Sequence, residues 1–237
     1  RNELQKALRA TFEPADKIRA SLTQTKTVAD IASLTLLEDI ANLEHTQSLV
    51  DADAFESVVQ LLGSARRVFL YGRGVSKAVA IVIYERLSLL RPDVYAVEDG
   101  IGSTKRRLLW LEPDDLIIFI SFPTYAQETI VDAEYAAARG AHTVAITDRV
   151  TSPLVEHARE HLLLHTQRDS AMVSSLVPAM SLADALMTAL IQISPESSER
   201  MRSLSERDIN YLNAGNARFV RAVKKEAPDD DRGTTMN

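Results

Sequence analysis

At 237 residues the chain is long enough to bury one substantial core, and 46% hydrophobic with 25% charged residues is the balance of an ordinary globular domain. The absence of cysteine excludes disulfides, thiolate metal ligands and thiol catalysis, and a formal charge of −6 with a pI near 5.4 argues against a broad basic face for nucleic acid. No run of about 18 apolar residues is present, and the amino end, Arg1-Asn2-Glu3-Leu4-Gln5-Lys6, lacks the apolar core of a signal peptide. These features predict a soluble cytoplasmic protein with no membrane partner.

Residues 1–30 read as helical, with Leu4, Leu8 and Phe12 on one stripe and an interruption at Pro14. Leu36, Ile40, Leu43 and Val50 mark an amphipathic helix whose apolar stripe is expected to pack in the core or against another subunit. A further helix begins in Asp51-Ala52-Asp53, with Asp53 as N-cap and Glu56 behind it, and ends at Gly63. From Arg67 onward strands alternate with helices. The predicted strands are Val68–Tyr71, Val94–Val97, Leu116–Ile120, Thr143–Thr147 and Leu162–Leu164; the predicted helices between them are 76–90, 127–139 closed by Gly140, and 152–159. Short, continuously apolar strands are the mark of burial on both faces. A three-layer α/β/α domain with a mainly parallel sheet of about five strands is therefore expected. A long helix over 171–193, kinked at Pro178, and another over about 197–224 follow, before a polar tail at Pro228-Asp229-Asp230-Asp231-Arg232-Gly233 that reads as disordered.

The strongest motif is Gly72-Arg73-Gly74-Val75-Ser76-Lys77, where an apolar strand runs straight into a helix. Two glycines let the backbone turn tightly and approach a ligand, and Ser76 as helix cap would leave unpaired N–H groups and the positive end of the helix dipole facing an anion. A dinucleotide fingerprint requires a small residue where Lys77 stands, and the spacing does not fit a Walker loop, so NAD and ATP are disfavoured. A tight turn with no ligand is the plainer alternative. In an open parallel sheet, ligands bind beyond the carboxyl ends of strands, and the second such loop is Ser121-Phe122-Pro123-Thr124-Tyr125-Ala126-Gln127-Glu128-Thr129. It is rich in hydroxyls, and it reads equally well as a capping loop with Thr124 as N-cap and Gln127 completing a capping box.

Glu156-His157-Ala158-Arg159-Glu160-His161 would place His157 and His161 on one helical face with Glu160. No third ligand is identifiable, so they are read as surface histidines, and neither a metal nor a cofactor is assigned. The clusters Ala65-Arg66-Arg67 and Lys105-Arg106-Arg107 read as solvated faces.

The two strand-to-helix loops, together with Leu-Glu-Pro-Asp-Asp before one strand and Arg-Gly-Ala-His-Thr-Val-Ala-Ile-Thr-Asp-Arg-Val-Thr-Ser-Pro-Leu through the next, resemble the SIS (sugar isomerase) domain, a Rossmann-like fold. The chain looks most like the effector-binding half of an RpiR-type bacterial transcription regulator, a likeness covering about 35–195. The resemblance implies a helical connector over 1–32, an effector-binding domain over 33–225 and a tail over 226–237. It also implies a helix-turn-helix domain upstream of Arg1, through which alone operator DNA would be bound, and assembly into a homodimer or homotetramer. Carried over, the family's first phosphosugar loop falls on Gly72, Gly74 and Ser76, and its second on Ser121 to Glu128. Pro123, Thr124 and Ala126 depart from the usual Ser, Gly and Thr, so Thr124, Tyr125, Gln127 and Thr129 become the substitute donors, with Arg73 and Lys77 adding positive charge. The expected ligand is a small anionic, sugar-derived metabolite. An SIS isomerase moves a proton with Glu and His, but no histidine occurs from 166 onward. Glu85 reads as a solvated helix residue, and Glu128 as a group that orients loop amides or binds ligand hydroxyls. No catalytic residue is assigned; a sugar-phosphate isomerase remains the alternative.

Overall fold

The computed structural model describes residues 27–97, 103–168 and 174–207; the expected connector up to residue 26, the helix beyond 207 and the acidic tail lie outside these. Thr27 opens the first helix, α1 (Val28–Leu49), with a capping box: its hydroxyl accepts from the Asp30 N–H at 3.2 Å, and the Asp30 carboxylate accepts from the Thr27 N–H at 3.0 Å. The helix runs unbroken through the point where connector was expected to give way to domain. Helix α2 (Ala52–Ser64) is capped by Asp51 rather than Asp53, because the Asp51 carboxylate reaches the N–H groups of both Asp53 and Ala54 at 3.0 Å. Gly63 lies inside its last turn.

The alternating half follows as β1 (Val68–Gly72), α3 (Ser76–Leu90), β2 (Val94–Ala96), α4 (Ser103–Leu109), β3 (Leu116–Ile120), α5 (Gln127–Ala138), β4 (His142–Thr147) and β5 (Glu160–Leu163). Helix α4 has no counterpart among the elements expected from the sequence; Arg106 and Arg107 on it are exposed, as a solvated face requires. The helix expected over 152–159 is instead a turn with one 3₁₀ turn at Val155–His157, and Glu160 and His161 already belong to β5. Thr143, reaching the His157 carbonyl at 2.8 Å, helps hold that segment as a cross-link rather than a crossover helix. Helix α6 (Val177–Ile193) begins with Pro178 in its first turn, so the proline starts the helix instead of kinking it. A last helix, α7, is described over Pro195–Arg207 and leaves α6 at 107°.

All five strands are parallel, in the order β2-β1-β3-β4-β5. Successive residues of β1 serve opposite faces. Val68 and Leu70, with Ile118 and Ile146, pack under α2, α3 and α6 through Leu62, Ile83 and Leu186; Phe69 and Tyr71, with Ile117 and Phe119, pack under α4 and α5 through Leu108 and Ala136. These are the three expected layers, with α1 and α7 as extra helices outside them.

At the amino edge of the sheet, Asp115 has a fully buried side chain. Arg66 and Arg67 each donate to it with two nitrogens at 2.7–3.1 Å, the Glu112 N–H adds a fifth donor at 2.9 Å, and Arg67 also reaches the carbonyl of the exposed Trp110. Burial alone would raise this carboxyl, but the donors outweigh it and hold it at about 2.

Helix α1 turns the expected stripe inside out. Leu36, Ile40 and Val50 are exposed, as are Ile31 and Leu37, while the polar Asp39, Asn42 and Thr46 are buried against the domain.

The Asp115 fork generates a stability test. A carboxyl held below its ordinary 3.8 contributes stability that is complete above that value and is lost as pH falls toward about 2. Asp115→Ala is expected to destabilise the fold by about 2–3 kcal/mol at pH 7. In chemical denaturation between pH 5 and 2 the parent should lose about 2 kcal/mol more than this variant.

Candidate functional site

Gly72, the last residue of β1, pairs with Ile120, the last residue of β3, so both strands release their chains side by side at the carboxyl edge. Because β2 lies on the other side of β1, this is the point where strand order reverses. In open α/β sheets, ligands bind in the crevice outside the carboxyl ends of the strands at such a point. Both loops singled out in the sequence, Gly72–Lys77 and Ser121–Thr129, therefore meet at one crevice.

Their internal chemistry differs from expectation. Gly72 is demanded by packing: a Cβ there would stand 2.5 Å from the Ser76 carbonyl oxygen, so only glycine lets α3 begin this close to β1. Gly74 has φ +56° with open space around it, so it supplies a left-handed turn and an unobstructed approach. Ser76 is not the cap. Val75 occupies that position in helical geometry, no side chain caps α3, and the N–H groups of Ser76, Lys77 and Ala78 turn back to the carbonyls of Arg73, Gly74 and Val75 at 3.1–3.2 Å. Ser76 is itself buried, while Arg73 and Lys77 are half-buried. The Tyr71 hydroxyl donates to Asp132 at 2.7 Å; burial first, then Asp132, pushes that phenol well above its usual range, with Arg73 acting in the opposite direction.

Helix α5 is likewise uncapped. Its N-cap is Ala126, neither Thr124 nor Gln127 makes the expected capping box, and Thr124, Gln127 and Glu128 are exposed. Ser121 is buried, and Thr129 is fully buried, its hydroxyl without a hydrogen-bond partner among the described residues. The uncapped amino end of α5 is the feature here that an anion would satisfy, with the Thr129 hydroxyl buried just behind it.

A third loop, which sequence reading did not single out as part of the site, completes the edge. Tyr125 donates to Asp148 at 2.5 Å, and burial followed by this carboxylate raises the phenol well above its usual range. Arg149 holds the other oxygen of Asp148 through Nε and Nη2 at 2.8 and 2.7 Å. The Thr147 hydroxyl donates to the Ser121 carbonyl at 2.9 Å and meets Ser152 at 2.8 Å. The signal for these residues was the third exit from an apolar strand, at Ile146-Thr147-Asp148.

Glu85 is exposed on α3 and Glu128 on the rim. His157 lies in the 3₁₀ turn and His161 in β5, both half-buried, so the two do not share a helical face. Among the described residues no group of three histidine or carboxylate side chains is placed to hold a metal, and no single helix is long and apolar enough to cross a membrane.

Fold and edge together define a parallel α/β domain whose switch point is dressed with glycines, hydroxyls and two uncapped helices. The chain belongs to the SIS domain family, with the match running over residues 61–189. An uncharacterized HTH-type transcriptional regulator of Haemophilus influenzae is 26% identical over 200 residues, 81% of this chain and 69% of that protein. The sugar isomerase domain of the RpiR transcription factor from Sphaerobacter thermophilus superposes with a TM-score of 0.69 at 27% identity, covering 74% of this chain and 98% of that one. The Vibrio vulnificus NanR protein complexed with ManNAc-6P shares the fold at 22% identity, with a TM-score of 0.68 over 77% of this chain and 70% of NanR.

The two glycines are separable by experiment. Gly72→Ala forces the start of α3 to move and is expected to cost about 2–3 kcal/mol of stability, whereas Gly74→Ala meets no atom and costs about 1 kcal/mol of backbone strain. Equal costs in thermal and chemical denaturation would contradict the packing role given to Gly72.

Proposed function

We propose that the chain is the effector-sensing domain of an RpiR-type transcriptional regulator and binds a small anionic, sugar-phosphate-like metabolite at the β1/β3 switch point. The observation that carries this reading is the uncapped start of α5, with the Thr129 hydroxyl buried just behind it, beside the parallel exit of β1, in an SIS domain related to HTH-type regulators. NanR with its bound ManNAc-6P supports the ligand class. Arg73, Lys77 and the N-terminal turns of α3 and α5 would meet the anion; Ser76, Ser121, Thr124, Tyr125, Gln127, Glu128 and Thr129 would serve its hydroxyl groups. Gly72 and Gly74 shape the approach.

The chain is no enzyme in this reading: Glu85 and Glu128 are exposed, and no histidine follows residue 165. Residues 1–32 would connect a helix-turn-helix domain to the effector domain at 33–225, with a tail over 226–237. The regulator would act in the cytoplasm as a homodimer or homotetramer, which the exposed apolar side of α1 bearing Leu36, Leu37 and Ile40 supports. Effector binding would then alter operator affinity by roughly 1–3 kcal/mol, the usual size of allosteric coupling.

Calorimetric titration of the purified chain with a panel of hexose and hexosamine 6-phosphates tests the site. One member should bind, and Ser76→Ala and Thr129→Val should each weaken it roughly 5- to 100-fold while remaining folded. Unchanged affinity in both variants would remove the switch point as the site. The same sugars should stay unconverted over hours; sustained isomerisation abolished by Glu85→Gln or Glu128→Gln would replace the regulator with a sugar-phosphate isomerase.

A further inference from the structure

Helix α1 is attached to the domain through side chains that normally face water, and every one of the hydrogen bonds on this buried face goes to one place. Asp39 receives Arg168 at 2.7 and 2.9 Å and the Ser175 hydroxyl at 2.6 Å. Asn42 donates to the Gln167 carbonyl at 2.8 Å. Thr46 accepts from the His165 N–H at 2.9 Å, and the ring of His45 stacks on that of His165 with 4.4 Å between centroids. Spaced three and four residues apart, these groups form a single face of the helix, and that face sits on the segment that leaves β5 and on Ser175 just before α6. The apolar flank of α1 is less complete: an open cavity of about 300 Å³ remains between Leu43 of α1 and its C-cap Val50, Phe55 of α2, and Pro178 and Leu182 of α6. Hydrogen bonds exchanged against water hold with little net free energy each, whereas buried apolar contacts hold strongly, so a helix seated this way is released by small displacements of its partners.

Those partners are the continuation of the candidate site. The Leu164 N–H bonds to the Thr147 carbonyl at 2.9 Å. The Thr147 hydroxyl bonds to the Ser121 carbonyl, and its neighbour Asp148 accepts from Tyr125 and lies near enough to His165 to act on it electrostatically. From the β3–α5 loop to α1 there is thus an unbroken run of hydrogen-bonded or chain-linked groups through the exits of β4 and β5.

We propose that the polar seat of α1 on residues 165–168 is the mechanical link between the switch-point loop and the amino-terminal segment, so that rearranging the Tyr125–Asp148 and Thr147–Ser121 contacts loosens or tightens α1. This inference rests on the reading of the switch point as the effector site and names the regulation of that site. The test is hydrogen–deuterium exchange on the full 237-residue chain without any ligand, so its failure is separate from failure of the sugar-phosphate titration. Asn42→Ala cuts the seat directly and should speed exchange across residues 36–49 about tenfold. Tyr125→Phe and Thr147→Val remove hydrogen bonds made to Asp148, Ser121 and Ser152, none of them in α1; each should speed the same amides about three- to tenfold while the β3 amides at 116–120 keep the parent rate. The proposal is overturned if both remote variants leave 36–49 at the parent rate, if Asn42→Ala does, or if the acceleration is equal in β3 and α1 and therefore global.

Discussion

The carboxyl-edge site depends on the pairing of β1 with β3, two strands that are not consecutive in the chain. The Asp115 fork ties them at the amino edge by drawing Arg66 and Arg67, which precede β1, onto the residue that precedes β3. Five residues later the same register brings Gly72 beside Ile120. A slip by one residue would exchange the two faces of the sheet, burying Phe69 where Leu70 belongs, so the hydrophobic layers enforce what the fork begins. The crevice is the geometrical result: two helices start from adjacent strands, on opposite faces of the sheet, with their amino ends at one edge.

That pairing also explains which parts of the molecule were legible in the sequence. Strands β1 and β3 and helix α3 were located to within a residue because strands buried on both faces read as unbroken apolar runs and α3 carries its apolar residues at helical spacing. The crevice loops were legible as well, since each is a polar stretch wedged between such elements. Their caps were not: Ser76 and Thr124 have the chemistry of N-caps, yet the tight start of α3 against Gly72 puts Val75 in that position, and α5 starts late enough to leave Ala126 there. Asp148 escaped for a different reason. Its place beside Tyr125 follows from β4 lying next to β3, which is a property of strand order and is not encoded in any local pattern. The segment over 152–159 has an apolar residue at each place a short crossover helix would want one, but the β4–β5 connection is completed with a single 3₁₀ turn.

Helix α1 shows the limit of reasoning from amphipathicity alone. Its apolar residues predict an inward stripe, but a helix has two sides, and here the domain takes the side bearing Asp39, Asn42 and Thr46. Burying three polar residues is tolerable only because each finds a partner, and those partners all lie on the exit of β5 and the start of α6. The outward side bearing Leu36, Leu37 and Ile40 is then surplus to the needs of one copy of this domain. Inside and outside are thus divided by hydrogen-bonding opportunity rather than by hydrophobicity.

Trp110 is the chain's single tryptophan, and it is 73% exposed, with its carbonyl bound by Arg67 at the amino edge of the sheet. The crevice opens at the opposite edge. An indole already surrounded by water changes its emission little when the chain unfolds, and one placed across the sheet from the crevice is poorly positioned to sense what enters it. The native aromatic groups at the crevice are instead Tyr71 and Tyr125, each held in a carboxylate hydrogen bond. A fluorescence assay for this domain therefore calls for an indole introduced at the carboxyl edge in a Trp110→Phe background, so that the signal comes from the crevice alone.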